Sequence, residues 1–293
     1  MIFKKDEIVK GALSYEELTR KMRSMINENS PRLITTLVNF WNAQENVITY
    51  AELEMAIKNG SIGPEVIEKW QKEYSVFVQK HLSPIWVAAI GESLEELYEK
   101  IPGFNQNIVL ESIETWTGEH AAELITQITS DQKKAINAMI DYSATTGAMT
   151  PYELARAIRP VVGLTKPQSM ANLRYYETLL GSGMSKDKAK KKALDYAAWQ
   201  HRYRAKVIAE HELAVANRYG KYYGVKEAQQ KGLMGVVEKK WISAGDGNVC
   251  GACKKLDRQQ IGMDEFFEDK GRLILGPEGA HVHCRCILIY VEV

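Results

Sequence analysis

Cysteine is scarce and confined. The 293 residues hold four, Cys250, Cys253, Cys284 and Cys286, so nothing before residue 250 can form a disulfide or a thiolate site. Long apolar runs are missing too: none reaches the ~18 residues that suggest a membrane span, and no membrane contact is expected. A signal segment is lacking, because the start, Met1 to Glu7, turns charged at once and has no apolar core. The chain is therefore expected to be made in a reducing cytoplasm, where clustered cysteines favour a metal over disulfides. An excess of one charge is also absent. With 38 basic and 37 acidic side chains, the net charge is +1. The molecule is not a polycation, and any DNA contact has to come from a local patch. No Gly-rich phosphate loop, nucleophile elbow or His-Glu-x-x-His motif occurs, so enzyme chemistry has no positive support and no small-molecule substrate is expected.

What is present reads as globular: 45% hydrophobic and 26% charged residues. Helix starts dominate. The capping-box pattern, Ser or Thr followed three residues later by Glu or Gln, occurs at Ser14–Glu17, Thr49–Glu52, Ser93–Glu96, Thr129–Gln132, Thr150–Glu153 and Thr165–Gln168. Each predicts a helix start. Thr150 is the strongest, since Pro151 follows it at the first helical position. Asn107 is a further start. Asn59-Gly60 and Pro64 separate two helices, and Ser83-Pro84 interrupts or bends another. Ser185 opens a long helix to about Tyr223. After Gly232 the texture changes, and residues 236–242 and 287–291 favour strands. The fold class expected is mainly α: a multi-helical N-terminal and central region, then a small C-terminal α+β module at about 236–293, closed by a Cys/His metal site. The seam between domains is placed near Gly147, dividing 1–146 from 147–293.

The two strands flank the cysteines. Cys250-x-x-Cys253 is a knuckle whose thiolates can reach one ion from a tight turn. Cys284 and Cys286 point to one side if their segment is extended. Four sulfurs satisfy tetrahedral Zn²⁺, and His281 can replace one of them if the chain curls; His283 lies on the opposite side. Such a site leaves no open coordination position and serves structure. Free or disulfide-forming thiols are the alternative. A locally basic helix carries Lys186, Lys188, Lys190, Lys191, Lys192, Arg202, Arg204 and Lys206, either a solvated face or a nucleic-acid contact. Tyr219, Tyr222 and Tyr223 suit core or interface better than base stacking. Glu210-His211-Glu212 cannot converge, because neighbours on a helix face different ways.

The C-terminal half resembles the phage Mu F-like head-morphogenesis family, the minor head proteins of tailed bacteriophages. The resemblance spans roughly 147–290. It is carried by Gly147 to Ala155, by Ala205 to Glu212 with Ala214 and Asn217, and by Trp241, Ser243 and Asp246. Cys250-x-x-Cys253 with Leu256-Asp257, Gly276-Pro277 and His281-x-x-Cys284-Arg285-Cys286 complete it. Glu-His-Glu replaces the family's Arg-Thr-Glu-type triplet, Arg258 stands where the family usually has Gly, and Val282 where it has Pro. The resemblance implies a low-copy structural component of the virion head, assembled in the host cytoplasm. Its expected partners are the portal protein or major capsid protein and, in some relatives, packaged or ejected DNA. It gives His281 added weight as a ligand, and Arg285 is read as donating to a carboxylate or phosphate. A DNA-binding module using the basic helix and the metal knob is the alternative. A toxin-type enzyme, such as an ADP-ribosyltransferase, is the remote one. Its effector would need catalytic motifs in 1–146, since the chain's end shortly after Cys286 is read as leaving no room beyond.

Overall fold

The computed structural model describes residues 2–4, 15–105, 107, 109–147, 149–245 and 247–293. The Ser14 cap and the Asp246 turn lie outside them. The described chain is mainly helical, with short strands concentrated at its C-terminal end. In chain order the elements begin with β1 (Ile2–Lys4), α1 (Tyr15–Val47), α2 (Tyr50–Asn59) and α3 (Pro64–Phe77). A π-helical turn, Val78–Leu82, leads into α4 (Ser83–Lys100). Then come α5 (Leu110–Thr146), α6 (Pro151–Ile158), α7 (Lys166–Gly181) and α8 (Lys186–Gln230). The last stretch holds β2 (Val237–Ile242), α9 (Gly251–Leu256), β3 (Gln260–Gly262), β4 (Phe267–Asp269), β5 (Arg272–Ile274), α10 (Pro277–Ala280) and β6 (Ile287–Glu292).

Three capping boxes form as the pattern predicts. Thr49 with Glu52, Thr150 with Glu153 and Thr165 with Gln168 each exchange side-chain and backbone hydrogen bonds at the starts of α2, α6 and α7. Gly60 ends α2 in the left-handed region at φ 76°, where only glycine carries no Cβ penalty. Pro84, which has no N–H to donate, stands two residues after the π turn, at the second position of α4. Two expected starts fail for one shared reason. Ser93 lies within α4 and Thr129 within α5. The Ser93 hydroxyl donates to the Ile90 carbonyl at 2.6 Å, and that of Thr129 to Ile125 at 2.7 Å. Both bond back into a continuing helix instead of capping a new one. The start assigned to Asn107 falls short of α5, which begins at Leu110.

The described residues form two compact units, neither of them a single stretch of chain. Unit 1 is Met1–Pro31, Ser83–Gly118 and Val207–Val293; unit 2 is Arg32–Leu82 and Glu119–Lys206. The sequence reading divided the chain once, between 146 and 147, whereas the boundaries between units fall inside α1, α5 and α8 and beside the π turn.

In unit 1, α4 packs closely on α8. A Cβ on Gly220 would meet the Ser93 hydroxyl at 2.1 Å and the Ile90 Cα at 3.1 Å, so the absence of a side chain permits the approach. Gly224 packs against Leu94 in the same way. Tyr219 stacks on Trp116 at 4.5 Å and on Tyr223 at 4.2 Å, so these tyrosines belong to the packing. The strands form a sheet of order β1-β6-β2-β3 and a separate β4-β5 hairpin. β6 runs antiparallel to β2, with Lys239 opposite Tyr290 and Trp241 opposite Leu288, and parallel to β1. The Ile2 N–H donates to Glu96 on α4, and Lys100 donates to the Ile2 carbonyl.

In unit 2 the core holds Leu33, Leu37, Trp41, Leu53, Trp70 and Tyr74, all fully buried. The Trp41 indole donates to the Tyr74 hydroxyl, which donates to Gln132.

Candidate metal centre

The centre lies within unit 1. Two strand ends and the turns between them bring the four cysteines and His281 together. α9 begins directly after Cys250, and the Cys253 N–H donates to the Cys250 sulfur at 3.4 Å. That bond holds the knuckle. The far end of α9 is tied to β2: Asp257 accepts from the Ser243 N–H, and Arg258 donates its N–H to the Trp241 carbonyl. Arg258 has φ 65°. It occupies the left-handed conformation that glycine takes without strain.

The other ligands arrive from the segment before β6. Cys284 and Cys286 were expected to alternate along an extended strand. The regular strand starts only at Ile287, and residues 281–286 run through a turn with His283 at φ 64°. The sulfurs converge all the same. Cys253, Cys284 and Cys286 form one buried group whose ligand atoms lie within 4.8 Å of one another, and Cys250, Cys253 and His281 form a second. Cys253 belongs to both. Its sulfur is 3.6 Å from that of Cys284 and 3.5 Å from His281 Nε2. The His281 Nδ1 lies 3.0 Å from the Val282 carbonyl. A carbonyl only accepts, so that contact sets the proton on Nδ1 and leaves Nε2 to face the sulfur. His283 turns away. Its ring pairs with Glu210, and its N–H donates to His211 Nδ1. Two members of the Glu-His-Glu trio thus meet His283, while Glu212 is buried.

Charge is unevenly held among the three buried thiols. Hydrogen bonds from Cys253 and Cys284 draw the Cys286 thiol down to about 3. Hydrogen bonds to Cys284 and Cys286, together with burial, push Cys253 far up. Cys284, lowered by Cys253 but raised by Cys286 and by burial, lies at about 11. Like charges at contact oppose the ionisation of all three thiols together. A cation among the sulfurs removes that opposition, and the donor set can hold a metal ion.

The guanidinium that grips this loop comes from α8. Arg218, 4% exposed, donates through Nη2 to the carbonyls of Cys284 and Cys286 and lies 4.0 Å from Glu278. Sequence reading missed it: the residue sits 66 positions before Cys284, and its local signal was only a cation beside tyrosines.

The basic helix divides. Lys188, Lys191, Lys192, Arg202 and Lys206 are exposed, and Lys190 is half-buried. Lys186 pairs with Glu153. Arg204 is buried, donating to the Gly163 carbonyl and pairing with Asp131 at 3.3 Å. It belongs to the unit 2 core and is removed from the nucleic-acid set. No helix among the described residues is long and apolar enough to cross a membrane. No family model matches the chain, and neither does a curated protein or a solved structure.

Proposed function

We propose that the chain is a structural minor head protein of a tailed bacteriophage, binding the portal protein or the major capsid protein inside the virion. The observation that supports it best is the Cys/His cluster, because its members are the residues that carry the resemblance. Trp241, Cys250, Cys253, Leu256, Asp257, His281, Cys284 and Cys286 all serve one small module. A portal pull-down with purified protein tests the reading, with cryo-EM of assembled heads beside it. Retention on portal and density at the vertex are expected; no portal contact and no head density refute it.

The metal in this reading is Zn²⁺, held by four of Cys250, Cys253, His281, Cys284 and Cys286, with Cys253, common to both groups, among them. Zn–S and Zn–N distances of about 2.3 and 2.0–2.1 Å at tetrahedral angles give S···S and S···N edges of about 3.8 and 3.6 Å. The 3.6 and 3.5 Å separations around Cys253 fit them. Four protein donors leave no place for substrate water, so the zinc would hold the module rather than catalyse. Elemental analysis should find about one zinc per chain in the wild type and none in Cys253→Ser. Cys286→Ser and His281→Ala decide which of the two completes the set: the variant that removes a ligand loses the metal, and the other keeps it. A folded wild type without metal refutes the zinc reading. Zinc lost with Cys286 but kept without His281 makes the site all-cysteine.

A second reading, nucleic-acid contact, is favoured by the exposed lysines of α8. It predicts affinity that falls steeply with salt.

A further inference from the structure

Unit 2 carries a row of rings along one side of α8. Tyr196, Trp199 and Tyr203 recur at intervals of three and four residues, the spacing of one helix side. Successive centroids are 5.8 Å apart, and the ring planes are within 9° and 13° of parallel. Tyr175 on α7 abuts Tyr196 edge-on at 5.2 Å. Trp199 is 57% exposed and Tyr203 54%, whereas Trp41, Trp70, Trp86 and Trp241 are fully buried. A single exposed ring needs no explanation, but a registered row of them covers a continuous apolar strip in solvent.

Cations accompany the row: Lys192 and Lys188 lie one and two turns before Tyr196 on the same side of the helix, while Lys191 and Arg202 stand roughly 100° round it; all four are exposed. From Lys188 to Tyr203 the helix advances about 22 Å, the length of several nucleotides.

We infer that this face binds single-stranded nucleic acid, with bases stacking on Trp199 and Tyr203 and phosphates meeting the lysines. Half-exposed rings that a base can extend as a stack, with cations on the same helix, offer the two kinds of surface an unpaired strand uses. A duplex offers the phosphates but hides its base faces within the stack, leaving the rings without a use. A protein partner would use the rings and Arg202, but lysine is depleted at such interfaces, and here it supplies most of the charge. The inference rests on the nucleic-acid reading of α8 and not on the head-protein reading, since its residues lie outside the Cys/His module.

The test is fluorescence anisotropy on the full chain, with labelled oligo(dT) and oligo(U) of about 20 nucleotides and a duplex of equal length. Binding is measured at about 50 mM salt and upward. Trp199→Ala and Tyr203→Ala should each weaken strand binding by about 5- to 100-fold. Tyr152→Ala, an equally exposed ring at 55% in the same unit, should leave it unchanged. Replacing Lys191 and Lys192 together should lower the salt slope by about 1.4. Tighter binding of either strand than of duplex supports the inference and names the polymer. Failure to bind strands overturns it. So do ring variants that bind like the wild type, or a duplex bound as tightly. Trp199-dependent capture of polyglutamate in place of strands would assign the face to an acidic protein instead.

Discussion

Lys239 gives the sharpest physical test of the C-terminal module. It lies at the middle of β2, paired across the sheet with Tyr290, and is fully buried. Its Nζ sits 5.5 Å from the Tyr222 ring centroid and 5.7 Å from that of Phe267, with no hydrogen-bond acceptor. Burial is the main influence on the amine, lowering its pKa from 10.5 to about 8, against the pull of Glu278, Asp264 and Glu265 and alongside the repulsion of Lys226. The folded-state pKa is depressed, so below pH 8 both states carry the proton and the folded state bears the full cost of the buried charge. Between pH 8 and 10.5 the unfolded state binds more protons, and stability rises with pH. The pKa difference corresponds to about 3 kcal/mol. Lys239→Met, similar in volume and without charge, should therefore stabilise the protein by about 3 kcal/mol at pH 7. The advantage should shrink to about 1 kcal/mol near pH 9.5–10. Urea unfolding of both proteins across that range measures it, and comparison at each pH cancels every other titrating group. An advantage independent of pH, or a variant less stable at pH 7, would show that the amine is not buried as a costly cation.

Three further outcomes follow from the packing. Arg218→Met removes the donor to two carbonyls of the ligand loop and strands Glu278. It should cost about 3–5 kcal/mol and, with zinc loaded into the site, speed its release to a chromogenic chelator; an unchanged release rate would mean that the clamp does not hold the loop. Gly220→Ala should destabilise by about 1–3 kcal/mol in urea titration, because its methyl would press on Ser93 and Ile90. Gly91→Ala, also on a helix but with nothing within 4 Å, should gain up to about 1 kcal/mol. At position 258, glycine should be neutral or stabilising by about 1 kcal/mol, while a β-branched valine should cost more than that, as read from melting temperatures.

What the sequence revealed depended on how far each signal had to reach. Thr49, Thr150 and Thr165 act on backbone three residues away, and their boxes form as written. Ser93 and Thr129 carry the same local pattern. Within α4 and α5, however, Ser93 is pressed against Gly220 and Thr129 is buried, and packing keeps both segments helical. β2 and β6 were legible from their β-branched and aromatic runs. β1 was not: its three residues pair with a strand at the other end of the chain. The β4–β5 turn was overlooked although Lys270-Gly271 carries the two positive φ values of a tight hairpin, 52° and 78°. The interleaved units could not be read at all, because three long helices each contribute to both.

The metal centre sits between these cases. Spacing pointed to the residues that come together, since the four cysteines and His281 are confined to 37 residues, Cys250 to Cys286. The geometric argument for their convergence was different from the one the chain uses. Alternation along a strand was to align Cys284 and Cys286, yet the ligands come from a turn that β6 only follows. A turn has no ladder of its own to fix it, and this one is held by Arg218 through the two cysteine carbonyls and by His283 through Glu210 and His211. All four of these side chains except His283 stand on α8. The long helix therefore fixes the ligand loop from outside, while a bound cation would fix it from within. Cys253, the donor common to both groups, is where the two constraints meet, and that is why its loss should abolish metal binding whichever residue completes the set.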